Sequence, residues 1–179
     1  MIPISDRWVA QSSEVLYPRP GTVGVTEEDI AALKGLAERN SRGRCRFCLH
    51  KSASEHLHDM VIAFAPGVYD RPHKHHEKVE TLIAIEGDAF YLRFSEDGRP
   101  ISAQPISASG NNGALRILRT PIGEFHALLI SDEPFVFCES TLGPFDPAAT
   151  EFAMWSPASE DKSSVNHYLA DLRKWTTTF

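Results

Sequence analysis

Gly67-Val-Tyr-Asp-Arg-Pro-His73-Lys-His75-His-Glu-Lys-Val-Glu80-Thr-Leu-Ile-Ala-Ile-Glu-Gly87 is the stretch on which the fold of this 179-residue chain turns. His73 and His75 are two apart, so on a strand both side chains point to one face. Glu80 lies five positions after His75, an odd spacing that would put it on the opposite face of an unbroken strand. The polar run His76-Glu77-Lys78 therefore predicts a turn, after which a second strand returns Glu80 to the same pocket in antiparallel register. His126, in Pro121-Ile-Gly123-Glu-Phe-His126, follows a turn signal. It is expected to begin a strand of another hairpin and to close the set across a barrel interior.

Three imidazoles and one carboxylate leave a divalent metal with positions open to water or a ligand, as catalytic rather than structural sites do. The nitrogen-rich set disfavours calcium and magnesium and suits zinc, iron, manganese, nickel or copper. A lone histidine in the charged loop from Arg71 to Lys78 would read as a surface residue. The spacing, the flanking glycines and the downstream histidine together favour metal.

Outward from this stretch, the chain between about 44 and 141 is a series of strand-length apolar runs. Met60–Ala65, Val79–Ile85, Ala89–Phe94, Ala114–Leu118, His126–Ile130 and Phe135–Glu139 are broken by Pro66-Gly67, Glu86-Gly87-Asp88, Asp97-Gly98, Gly110-Asn-Asn-Gly113 and Ser131-Asp-Glu-Pro134. That texture predicts an all-β antiparallel barrel or jelly roll, with a hairpin at Asp97-Gly98. Residues 1–25, rich in proline and glycine, read as an irregular arm or short edge strand. Thr26-Glu-Glu-Asp29 reads as a capping box that opens a helix with Ile30, Leu33 and Ala37 on its buried face, ending at Asn40–Gly43. Val165, Tyr168, Leu169 and Leu172 predict a C-terminal amphipathic helix over about 164–175. One domain, 26–179, follows the arm.

An apolar fraction of 42% with 23% charged residues fits an ordinary globular chain. The net charge of −6 speaks against a nucleic-acid or anionic-membrane binder. With no secretory pattern and no apolar run of membrane length, the expectation is a cytoplasmic protein with free thiols. Cys45 and Cys48, three apart on a strand, would face opposite sides, which favours packing over redox or zinc chemistry.

Gly67, His73, His75, Glu80 and Gly87 match the first cupin motif, and Pro121, Gly123 and His126 resemble the second. Ile130 stands where that second motif often ends in asparagine. More narrowly, Arg44-Cys-Arg-Phe-Cys-Leu-His50, Arg71-Pro-His-Lys-His75, Gly143-Pro-Phe-Asp-Pro147 and Glu151-Phe-Ala-Met-Trp-Ser-Pro157 resemble the WbuC-type cupin fold metalloproteins over roughly residues 26–175. That resemblance implies a single cupin barrel, a metal, and an association with O-antigen and surface polysaccharide synthesis. It also implies a homodimer, to which the arm could contribute by crossing to a neighbour.

Further candidates flank the ligands. Arg71 could grip a phosphate or carboxylate in bidentate fashion, and Lys78 could assist it, although Lys78 reads equally as a solvated loop charge. His50, included in the resemblance, is a candidate ligand contact, while His56 and His58 read as loop histidines. Glu139 is a candidate acid–base group, or an outward residue if its register is reversed. Tyr91 and Trp155 read as packing. The functional expectation is a metal-dependent enzyme, an isomerase or epimerase acting on a sugar or nucleotide-sugar intermediate. An iron-dependent dioxygenase and a non-catalytic carbohydrate-binding module are the alternatives.

Overall fold

The computed structural model describes residues 5–178, and two sheets and two helices account for most of them. One sheet contains β1 (Trp8–Ala10), β2 (Val15–Pro18), β3 (Arg44–Cys48), β4 (Leu57–Phe64), β6 (Glu80–Glu86), β9 (Ile117–Thr120) and β11 (Phe135–Leu142). The other contains β5 (His73–His75), β7 (Asp88–Phe94), β8 (Pro100–Ser107), β10 (Phe125–Ile130) and β12 (Thr150–Phe152). Their orders are β1-β2-β3-β4-β11-β6-β9 and β12-β5-β10-β7-β8. From β4 to β12 the chain changes sheet at every connection except the β7–β8 hairpin. That winding makes a double-stranded β-helix, the jelly-roll barrel of the cupin fold.

Alternation along each strand sorts the apolar residues into three layers. Between the sheets lie Met60, Ile62, Phe64, Leu82, Ala84, Tyr91, Leu128, Phe135 and Phe137. On the outer face of the larger sheet, Phe47, Val61, Ala63 and Val136 pack against Ile30, Leu33 and Ala37 of α1 (Glu27–Arg39). On the outer face of the smaller sheet, Leu92, Phe94, Ala127 and Leu129 receive Val165, Leu169 and Leu172 of α2 (Lys162–Thr176). The two helices thus shield the outer faces and leave the interior for the site.

The capping box is as expected: Thr26 Oγ1 accepts from the Asp29 N–H at 3.3 Å, and the Asp29 carboxylate accepts from the Thr26 N–H at 3.0 Å. The same buried carboxylate also accepts from Trp8 Nε1 at 3.1 Å and pairs with Arg7. That contact ties the N-terminal segment down. The expected arm is a β1–β2 hairpin whose β2 pairs in parallel with β3. It lies on its own chain's sheet.

Two expectations about pairing are corrected. β5 and β6 are not antiparallel neighbours, because they lie in different sheets. The turn at His76–Lys78 instead carries the chain from one sheet to the other, so Glu80 faces the histidines across the interior. His126 does not close the set from across the barrel; it sits on β10 beside β5, directly paired with His73. β8 is a full strand although Pro100 and Pro105 break its sequence pattern. It is an edge strand, where a missing N–H costs no ladder bond. Gly87, which ends the opening stretch, has φ 81, and a Cβ there would lie 2.3 Å from the Pro134 carbonyl oxygen. Only glycine suits that turn. Among the described residues, no helix is long and apolar enough to cross a membrane.

Candidate metal centre

His73 and His75 project from β5, His126 from β10 and Glu80 from β6, and their ligand atoms all lie within 4.8 Å of one another. Each imidazole is oriented through its other nitrogen. His73 Nδ1 donates to the Arg71 carbonyl at 2.8 Å, and His126 Nδ1 donates to the Glu124 carbonyl at 2.8 Å. A carbonyl can only accept, so those two rings carry their proton on Nδ1 and turn an Nε2 lone pair inward. His75 Nδ1 lies 3.2 Å from Thr150 Oγ1 on β12. The Gly123 N–H donates to the His75 carbonyl at 2.8 Å, which joins the two histidine motifs through their backbones.

β5 is only three residues long and pairs with β10 at one position. The next inward N–H of β10, that of Leu128, is taken at 2.8 Å by Asp70 Oδ2. A side chain thus replaces the missing strand partner and fixes the loop that delivers His73.

The centre's polar atoms do not satisfy one another. His75 Nε2 lies 2.9 Å from Glu80 Oε1, yet it is buried and has no hydrogen bond of acceptable geometry. His126 Nε2 lies 3.7 Å from Glu80 Oε2. Buried polar atoms are nearly always paired, and an orphan among converging donors marks a place for a ligand or ion. Burial pushes the Glu80 carboxyl upward, but the facing His126 and His75 imidazoles and the charge of Lys78 hold it well below the usual carboxylate range. Burial lowers the His73 pKa; for His126, burial is outweighed by Glu80, which raises it. A nitrogen-rich set with an ionised carboxylate fits a divalent transition metal, and these four residues could hold one.

The register decides Glu139. It pairs with Met60 on β4 and Leu82 on β6, and shares its face with Phe135 and Phe137, so it points into the barrel. Burial, and then the charge of Glu80, push its carboxyl up to about 8. Lys78 reaches the site as well, with Nζ 3.4 Å from Glu80 Oε1.

Arg71 is engaged elsewhere. Its Nε donates to Ser156 Oγ at 3.1 Å and its Nη2 to the Ala153 carbonyl at 3.0 Å, with Phe152 beneath its Cζ at 5.4 Å. It clamps the C-terminal tail to the barrel, where a ligand-gripping role was expected. His50 is buried and bonded through Nδ1 to the Asp59 carbonyl at 3.1 Å. His58, expected in a loop, is instead a buried residue of β4 stacked on His50 at 4.0 Å. The Cys45 thiol faces α1 and the Cys48 thiol the interior, and both are free.

Two contributors were not read from sequence as site residues. Thr150 lies on a strand too short to show a pattern. Tyr91, read as packing, stacks on His126 at 5.7 Å and buries a hydroxyl with no hydrogen-bond partner. Burial pushes that hydroxyl up to about 12, so it stays an O–H donor.

Fold and donor set together define a cupin-type barrel with a candidate metal centre. A family model described as a domain of unknown function (DUF6016) matches residues 25–106. No curated protein matches the sequence. Among solved structures, the chain is similar to the capsular polysaccharide assembling protein CapF from Staphylococcus aureus, with TM-score 0.51 and 21% identity over 63% of this chain and 32% of that one. The chain therefore spans less than a third of that protein's length. It is also similar to a conserved protein with a double-stranded β-helix domain from Klebsiella pneumoniae, with TM-score 0.48 and 20% identity over 64% of this chain and 89% of that one. A third is the oxalate decarboxylase of Bacillus subtilis, described with Mn(II) centres, with TM-score 0.42 and 20% identity over 55% and 24% of the two chains.

Proposed function

We propose that this protein binds one divalent transition metal through His73, His75, Glu80 and His126, and there converts a small polar molecule with Glu139 as its proton-transfer group. The observation that carries the reading is Glu139, a carboxyl on the interior face one inward position from the Thr141–Glu80 pair, raised to about 8. An acid–base group works best with a pKa near the operating pH, where it can both give and take a proton. A bound metal would supply Lewis-acid polarisation of a carbonyl or chelation of neighbouring oxygens.

The chain's own part is orientation and proton handling. The Arg71 and Glu124 carbonyls and Thr150 fix the three rings. Lys78 steadies Glu80, and Tyr91 offers a hydroxyl proton from beside His126. Removal and return of a proton beside a carbonyl, as in isomerisation or epimerisation, is the reaction class this equipment suits. The substrate class we assign is a sugar or nucleotide-sugar intermediate of surface polysaccharide synthesis. It draws support from the resemblance to WbuC-type cupins and from the fold shared with the capsular polysaccharide assembling protein.

The test is solvent deuterium incorporation into nucleotide-sugars by protein loaded with zinc or manganese. Exchange that disappears in Glu139→Gln at unchanged metal content is the expected result. Full exchange in that variant would remove Glu139 from the reaction. Oxygen consumption that depends on bound iron would replace the reading by a dioxygenase.

A further inference from the structure

Arg46 has no part in the site as described, yet its side chain is on the inner side of the larger sheet. Cys45 and Phe47 face α1, and Arg46 shares the opposite face with Cys48 of the central cluster. It is opposite Ile62 on β4, one inward position from the Met60–Glu139 pair, and beside Val15 on β2. Four arginines are half-buried among the described residues: Arg44, Arg46, Arg71 and Arg93. Arg44 holds Glu14, Arg71 holds Ser156 and the Ala153 carbonyl, and Arg93 holds Glu124. The Arg46 guanidinium alone of the four makes no hydrogen bond or ion pair among the described residues.

Its surroundings are those of a site. Arg46 shares its face with Tyr17, Cys48 and Glu139, and its positive charge is felt by them and by His50. Tyr17 meets His50 edge-on at 5.6 Å, and His50 stacks on His58. His58 pairs with Thr141, which pairs with Glu80. One row of side chains therefore crosses the sheet from a candidate metal ligand to Tyr17.

A cation withdrawn from water without a counter-charge is costly, and a guanidinium presents a fork of donors matched to two oxygens of a carboxylate or phosphate. We infer that Arg46 binds an oxyanion carried by the protein's ligand, a carboxylate or a phosphate. The inference rests on the metal reading only in joining this anion to the molecule that reaches the metal. The anion site itself stands without it.

The full chain is titrated with inorganic phosphate and with acetate, against chloride at equal ionic strength, in metal-free and zinc-loaded forms. The readouts are the thermal midpoint and the ¹⁵N-labelled arginine Nε–Hε resonances. A saturable rise in midpoint in both forms is expected, with affinity roughly tenfold or more weaker in Arg46→Gln. The Arg46 resonance should move at the same anion concentrations. A larger response to phosphate assigns a phosphoryl-bearing ligand, and a larger response to acetate a carboxylate. An unmoved Arg46 resonance in the wild type, or equal responses in wild type and Arg46→Gln, overturns the site. If Arg46→Gln does not fold, Arg46→Lys and the wild-type resonance carry the same decision. Zinc uptake without Arg46-dependent anion binding would remove this inference alone. Arg46-dependent binding without zinc uptake would remove the metal reading alone.

Discussion

Along the inner face of β11 the chain passes from Phe135 and Phe137, both fully buried, to Glu139 and Thr141. The same alternation aims all four inward, so what differs along this strand is the chemistry of the side chains and not their direction. At the closed end the interior is sealed by aromatic packing: Phe137 stands edge-on to Phe64 at 5.3 Å and stacks on Phe135 at 5.3 Å. At the open end the smaller sheet thins to a three-residue β5, and the interior residues become titratable. Period dictates which side chains enter the barrel; the length of the covering strands dictates which of those can be polar.

The largest effect expected from this contrast is at the closed end. Phe137→Ala should cost about 3–5 kcal/mol of folding stability, because it removes a fully buried ring and leaves a cavity among rigid neighbours. Denaturant unfolding measures it, and a loss under about 1 kcal/mol would mean that this end can collapse and is not the firm base of the barrel. At the open end His126→Ala should leave the metal-free fold intact and weaken zinc binding by more than the roughly 10–100-fold typical of outer partners. Zinc content after dialysis decides it. Retained stoichiometry would separate His126 from the centre.

Thr150→Val tests how far the open end depends on its outer strand. It keeps the shape of the side chain and removes the hydroxyl 3.2 Å from His75 Nδ1. Zinc affinity should fall by roughly 10-fold, with unchanged thermal stability of the metal-free protein. An equal loss of stability would make Thr150 a packing residue of β12.

The same contrast explains which parts of the molecule were legible in the sequence. Where one face of a strand is buried and the other is not, the alternation speaks clearly, and the barrel strands and the four candidate ligands could be read from it. α1 was legible because Thr26 and Asp29 announce their own hydrogen bonds. Pairing was not. Whether β5 continues into β6 in one sheet or crosses to the other depends on long-range contacts that the local pattern does not encode. Parity alone left Glu139 undecided for the same reason. The contacts of Arg71 were not legible because its partners, Ser156 and the Ala153 carbonyl, lie more than 80 positions away. β8 was hidden by its prolines, which an edge tolerates. Arg46 was passed over inside Arg44–Cys48, since only the α1 contacts of Cys45 and Phe47 show which face it takes.

The smallest effect sharpens the comparison most, because it sets a buried acid of the open end against one on the far side of the larger sheet. Glu139 has its pKa raised, to about 8, by burial and by Glu80. Below the unfolded carboxyl value both states hold the proton, and this contribution to stability is fully present. As pH rises, the unfolded chain releases the proton first, so stability falls until the folded-state value near 8 is passed. Asp29 has the opposite sign: burial pushes it up, but hydrogen bonds from Thr26 and Trp8 and the charge of Arg7 prevail and lower it. Its contribution is present at neutral pH and is lost as pH falls through its depressed folded value. For the metal-free protein, Glu139→Gln should therefore gain stability on the wild type from pH 5 to 8, by about 1 kcal/mol given the partial exposure of the group. Asp29→Asn should be less stable than the wild type by a constant amount over the same range, and close that gap only as pH falls below the ordinary aspartate range. Parallel pH profiles for wild type and Glu139→Gln would mean that Glu139 is ionised at neutral pH, and the open end would then hold two carboxylates with Lys78 and Tyr91 as donors.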